Sequence, residues 1–209
     1  ATYGHEWCKY WFHVHHLNTS GGKMSKSKGE FLTESLLEER GFDPLVYRFF
    51  CMQSHYRRNL VFSWENLENA KIAYDKLIGK VASLLPGEDG EIDGGIFDSA
   101  KLKFTEALDN DLNTSLALTA LYDVLKYATN TATKRAAIAD FDTVLALDLL
   151  EKAYALAKKR VEEEAKAAVR VYSDDPEIRA IEEAIDARAA AKKAKNYAEA
   201  DRIRAELLA

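Results

Sequence analysis

Apolar residues recur at steps of three and four along most of this chain. The clearest run follows Ser63. Within "WENLENAKIAYDKLIGKVASLL", Leu67, Ala70, Tyr74, Leu77, Ile78, Val81 and Leu85 fall on one helical face. The Ser63 hydroxyl is placed to accept from the first free backbone N–H groups of that helix. The same period predicts helices over about 97–109, 114–128, 140–160, 176–194 and 197–208. Their punctuation agrees. Asn113 or Thr114 caps the second, and "SDDPE" offers Asp175 as a cap with Pro176 at the first helical position. Upstream, Thr33 caps "ESLLEERG", which stops at Gly41, and Asp43 with Pro44 opens "FDPLVYRFFCMQS". Residues 86–95, "PGEDGEIDGG", read as an acidic, glycine-rich linker. No strand pattern follows residue 63 and no fixed repeat period emerges, which predicts an antiparallel helical bundle.

The first 62 residues have a different texture. "HEWCKYW" reads as the last turns of a helix, "VHHLNT" as a short strand and "SGG" as the turn after it. "KMSKSKGE" reads as a loop and "HYRRNLVF" as a basic, aromatic connector. The expected fold is therefore mainly α: a short α/β connecting segment over 1–62, followed by a bundle over 63–209. Phe49, Phe50, Tyr74 and Phe104 lie on apolar faces and are expected in the core rather than as base-stacking platforms.

Composition narrows the classes. With 47% hydrophobic and 30% charged residues, the chain can bury a core. No apolar run approaches the roughly 18–20 residues of a membrane span, and no secretory leader opens the chain, so a cytoplasmic setting without a membrane partner is expected. "ATYGHEWCKYW" reads as the interior of a longer protein. A net charge of −5 argues against a non-specific nucleic-acid binder. Residues 1–64 nevertheless hold eight Lys/Arg against six Asp/Glu, which leaves room for local surfaces that touch phosphate. Cys8 and Cys51 read as two ordinary reduced thiols. Cys8, His13, His15 and His16 lack the spacing of a closed four-ligand set, and no metal is assigned to this chain.

The loop "GGKMSKSKGE", 21–30, stands out against the acidic background. Lys23, Lys26 and Lys28 supply point charges. Ser25 and Ser27 supply small hydroxyls and let backbone N–H groups approach a ligand closely. That set suits a triphosphate, whose charge builds on the leaving pyrophosphate during nucleotidyl transfer. It is not a Walker loop, because G-x-x-x-x-G-K-[ST] is absent. By charge alone, a solvated basic turn would look the same.

The wording of the loop separates the two readings. "KMSKS", Lys23 to Ser27, is the signature loop of class I aminoacyl-tRNA synthetases, and "GHEWCKYWFHVHHLNTSGGKMSKSKGEFLT" and "HYRRNLVFSWENL" resemble the cysteinyl-tRNA synthetase family. "ALDNDLNTSLALTALYDVL" is similar to that family's bundle joint and "ARAAAKKAKNYAEADRIRAEL" to its C-terminal helix pair. The resemblance covers nearly all of the chain. It implies an enzyme that activates cysteine with ATP and passes the cysteinyl group to tRNA(Cys), usually as a monomer. It implies that Lys26 contacts ATP and that Lys23 helps hold the phosphates; Ser25 and Ser27 join the ATP-binding set by their chemistry, and Met24 reads as an apolar anchor for the loop. Lys28 lies outside the motif.

The family's His-x-Gly-His motif occurs nowhere in this sequence. The resemblance places that motif, and the zinc ligands that read the substrate thiolate, upstream of residue 1. It places an anticodon-reading subdomain beyond residue 209. The expectation is a piece that is inactive alone. Candidate tRNA contacts are Arg57 and Arg58, beside His55 and Tyr56, and Arg188, Lys192, Lys195 and Arg202 on the last helices. The bland alternatives are that Tyr56 packs in the core, that the arginines pair with the acidic bundle, and that the tail charges form a solvated face. Two further functions remain open: a non-catalytic RNA-binding or assembly module, and a ligase that joins cysteine to a sugar amine. An in-frame upstream segment encoding His-x-Gly-His separates enzyme from module.

Overall fold

The computed structural model describes residues 4, 8–19, 22–23, 33–87, 90–168, 175–194 and 196–207. Two compact units divide it, Ala1–Lys159 and Arg160–Ala209.

The first unit opens with a small sheet. β1 (Leu17–Thr19) pairs antiparallel with β2 (Gly22–Lys23) and parallel with β3 (Leu60–Phe62), so β1 is central. The parallel register sets Leu17 against Leu60 and Thr19 against Phe62. Residues 60–62, expected within the connector, are thus a strand. The strand expected over "VHHLNT" is confined to 17–19, and residues 8–16 are irregular rather than the end of a helix. Lys23, expected in the loop, lies in β2.

α1 (Glu34–Glu39) and α2 (Pro44–Met52) form where the caps predict. Thr33 Oγ1 accepts from Leu36 N–H at 3.2 Å, Gly41 takes φ +77° just past the end of α1, and Asp43 Oδ1 accepts from Leu45 N–H at 2.9 Å. α3 (Trp64–Ala82) starts at the Ser63 cap and buries the face read from its period: Leu67, Ala70, Tyr74, Leu77, Ile78 and Val81.

α4 (Gly94–Asp109), α5 (Thr114–Lys126) and α6 (Thr131–Leu145) pack on one another, and α2 packs on α3. Phe104 and Phe141 stack at 4.2 Å with planes 7° apart, joining α4 to α6. Phe49, Phe50, Tyr74 and Phe104 are all core residues. Each fully buried Leu or Phe contributes about 2 kcal/mol of transfer free energy.

The helix expected over 140–160 is two helices. α6 ends at Leu145, and α7 (Leu149–Ala168) begins after a turn in which Ala146 and Asp148 take positive φ. The whole of α6 before residue 140 went unpredicted. Its cap is Asn130, whose Oδ1 accepts from Thr133 N–H at 2.8 Å. The expected linker also loses its last two residues to α4, which Asp93 caps. In the second unit, α8 (Pro176–Lys193) and α9 (Tyr197–Glu206) pack against each other around Ala191, Ala200 and Ile203. No described helix is long and apolar enough to cross a membrane.

Candidate functional site

β2, the strand that opens the lysine–serine stretch, lies at an edge of the sheet. Lys23 ends β2 and pairs with Asn18 of β1, and the described chain resumes at Thr33, the cap of α1. Met24, Ser25, Lys26, Ser27 and Lys28 lie outside the described residues, as does Lys195. The hairpin is tied to the connector by Asn18 Nδ2, which donates to Asn59 Oδ1 at 2.6 Å.

The second helix after the loop, α2, is bolted to the bundle. Asp43, the cap of α2, also pairs with Lys152 of α7. Burial works to raise the Asp43 carboxyl, but the hydrogen bonds from Lys152 and Leu45 N–H outweigh it and leave the pKa below its usual value. Arg48 Nε donates to Leu145 O at 2.7 Å, and the buried Tyr74 hydroxyl donates to Leu147 O at 2.6 Å. Asp142 closes the turn: Oδ1 accepts from Leu147 N–H at 2.8 Å and Oδ2 from Leu149 N–H at 2.7 Å. Burial pushes the Tyr74 phenol well above its ordinary range, so it stays a donor. Sequence reasoning placed Tyr74 in the core but gave Arg48, Asp142 and Lys152 no role.

The connector is organised by Asp111, in the joint between α4 and α5. Arg57 Nε donates to Asp111 Oδ2 at 2.6 Å and Arg57 Nη2 to Oδ1 at 3.3 Å. The Tyr56 hydroxyl donates to Oδ1 at 2.5 Å. Hydrogen bonds from Arg57 first, then Tyr56, hold the Asp111 carboxyl down at about 2. His55 Nδ1 accepts from Arg57 N–H at 3.2 Å, which leaves the proton on Nε2 to donate to Asp111 O at 3.0 Å. Asp111 and Leu112 both take positive φ, so the joint presents its carboxylate from a tight left-handed bend. Of the candidate pair, Arg57 is therefore engaged by the bundle joint. Arg58 is exposed and forms no ion pair with a described residue.

Aromatic rings surround this hub. Phe12 stacks on Tyr56 at 4.4 Å, and His55 stacks on Tyr56 at 4.7 Å. A cavity of about 400 Å³ lies between the 12–17 segment and the 51–60 turn, with Cys51 and Tyr47 at its wall. Burial raises the Cys51 thiol, which makes it a poor nucleophile, and lifts the Tyr47 phenol to about 12.

The tail residues do not act as one set. Arg202 pairs with Glu199 at 2.6 Å and Glu206 at 2.8 Å within α9. Arg188 Nε is buried without a hydrogen bond among the described residues, and Lys192 is exposed. No group of three or more His, Cys, Asp or Glu among the described residues is placed to hold a metal ion, and Cys8 Sγ donates to Tyr10 O instead.

Comparison with known proteins bears on both regions. Residues 1–72 match the family model of the class I (C) tRNA synthetase catalytic domain, and residues 103–156 match the DALR domain. A cysteine–tRNA ligase of Novosphingobium aromaticivorans is 37% identical over 96% of this chain and 39% of its own length. That of Aromatoleum aromaticum is 37% identical over 100% of this chain and 43% of its own. Cysteine–tRNA ligase 1 of Burkholderia lata is 36% identical over 100% and 40%. The chain thus spans about two fifths of the length of these relatives.

Proposed function

The chain belongs to the cysteinyl-tRNA synthetase family, and we propose that it supplies the ATP loop and the tRNA-contacting bundle of a cysteine–tRNA ligase. The reaction has two steps. The cysteine carboxylate attacks the α-phosphorus of ATP, forming cysteinyl-adenylate and releasing pyrophosphate. A terminal ribose hydroxyl of tRNA(Cys) then attacks the adenylate carbonyl, and AMP leaves.

In this reading Lys26 meets the negative charge that grows on the departing pyrophosphate. Lys23, at the end of β2, helps hold the phosphates, and Ser25 and Ser27 offer hydroxyl and backbone donors. The loop's anchorage supports the assignment. One end is fixed in the hairpin with β1, and the other enters a capped helix that leads into α2, which is bolted to α7.

The functional division is 1–62 as the end of the catalytic domain and 63–209 as the bundle on the anticodon side. Arg58, with Arg57, and Arg188, Lys192, Lys195 and Arg202 contact the tRNA. The zinc that reads cysteine belongs to the longer protein; the residues described here do not fit it. The protein acts in the cytoplasm as a monomer.

The test uses the protein with its upstream catalytic segment. Lys26→Ala should slow cysteine-dependent ATP–pyrophosphate exchange by the equivalent of roughly 2–4 kcal/mol, the loss of one transition-state donor, while tRNA affinity stays unchanged. Unchanged exchange kinetics would refute the role.

A further inference from the structure

The cavity beside the connector has walls of unusual charge for this chain. It is lined in part by Phe12, His15, Ser54, His55, Arg58 and Leu60, and no Asp or Glu among the described residues lines it. In a chain of net charge −5, a cavity edged by Arg58, with no carboxylate among its described lining residues, favours an anion. Asp111 is close by, but its oxygens are taken by Arg57 and Tyr56. The side chains of His15, Ser54 and Arg58 have no hydrogen-bond partner among the described residues, so they are unspent. His55 is spent on both nitrogens and offers a ring face.

The apolar part of the wall is flat and accessible. Phe12 is 58% exposed although it stacks on Tyr56. Trp11 and Val14, on the same segment, are 64% and 59% exposed. The segment is not a loose flap: His15 N–H donates to Tyr56 O at 3.0 Å, and two residues on Leu17 pairs with Leu60. Aromatic faces beside an unpaired guanidinium are what unstacked bases and their phosphates bind. The volume of about 400 Å³ lies within the roughly 300–1,000 Å³ of small-ligand sites.

We propose that this cavity takes one unpaired nucleotide of an RNA strand, with its base on Phe12 and its phosphate on Arg58. The inference rests on the tRNA-contacting role proposed above and deepens it. A base within a duplex cannot enter, because its faces are already stacked. The site therefore selects a single-stranded or extruded nucleotide rather than a helical stem.

The probe is a fluorescent single-stranded RNA pentamer titrated into the intact chain, with the same strand annealed to its complement and free AMP as competitors. Phe12→Ala should weaken pentamer binding about tenfold. Arg58→Gln should reduce the salt slope by about one. Ser54→Phe, which fills the cavity and leaves the charges in place, should weaken binding as Phe12→Ala does, with an unchanged circular dichroism spectrum. The duplex should compete poorly. Equal competition by duplex, or variants that bind as the parent does, would overturn the proposal. AMP that competes as well as the pentamer would overturn the RNA source and assign the cavity to a free nucleotide. If whole tRNA binds and the pentamer does not, this inference falls and the tRNA reading stands. If neither binds, both fall.

Discussion

Replacing Tyr74 by Phe removes one oxygen and keeps the ring. The ring is buried against Phe49 at 5.7 Å, so packing is preserved. What changes is the partner of Leu147 O, which sits in a turn whose leucine is itself fully buried. That carbonyl loses its 2.6 Å donor in a place water does not reach. An unsatisfied buried acceptor costs about 1–3 kcal/mol. With a central value of about 2 kcal/mol and a unit of this size, the melting temperature should fall by about 4–8 °C. The assay is thermal unfolding followed in the near-ultraviolet signal of Trp64, which packs against Phe62 in the same unit. Tyr122→Phe is the control. Tyr122 is half-buried, and its hydroxyl has no hydrogen-bond partner among the described residues, so its loss should shift the transition by less than about 1 °C. Arg48→Gln tests whether the bolt acts as a unit. Arg48 holds Leu145 O, two residues from the Tyr74 contact, so the double variant should lose less than the sum by about 0.5 kcal/mol or more. A Tyr74→Phe shift no larger than that of Tyr122→Phe would refute the reasoning.

The same turn makes two opposite predictions. Asp142→Ala leaves two N–H groups without their acceptors and should cost about 1–2 kcal/mol by chemical denaturation. Ala146→Gly should stabilise by about 0.5–1 kcal/mol, because Ala146 is exposed at φ 48° and its Cβ is strained there; a loss would show that the angle is not the cost. The Asp111 hub predicts acid sensitivity. The folded carboxyl sits at about 2, below its ordinary 3.8, so its contribution is complete above about pH 4 and is lost as pH falls toward 2. Asp111→Asn should abolish that acid step in the tyrosine signal of the connector, and a step that persists would place its origin elsewhere.

What the sequence revealed was local. Thr33, Asp43 with Pro44, Ser63 and Asn113 each act within three residues, and each was legible as a cap. The break between α6 and α7 was not. Ala146–Leu147–Asp148 contains neither glycine nor proline, and its bend is imposed by Asp142 reaching forward to Leu147 and Leu149. β3 was hidden because its partner, β1, lies some forty residues earlier and pairs in parallel, with no turn to announce it. The site divides the same way. The loop lysines were visible as a word, whereas the Arg57–Asp111 pair joins residues 54 apart. No spacing rule predicts which carboxylate an arginine will choose.

The bolt on α2 also orders events in time. Asp43 meets a partner 109 residues later, Arg48 one 97 residues later and Tyr74 one 73 residues later. At a synthesis rate of about 5–20 residues per second, α2 emerges roughly 5–20 s before the helix that locks it. During that interval the segment downstream of the loop has its caps but not its anchor. Because contacts so distant in sequence slow folding, maturation of the loop's mount waits on the ribosome reaching α7. A nascent chain stalled before residue 145 should therefore carry an α2 open to protease, and one released after residue 159 should not.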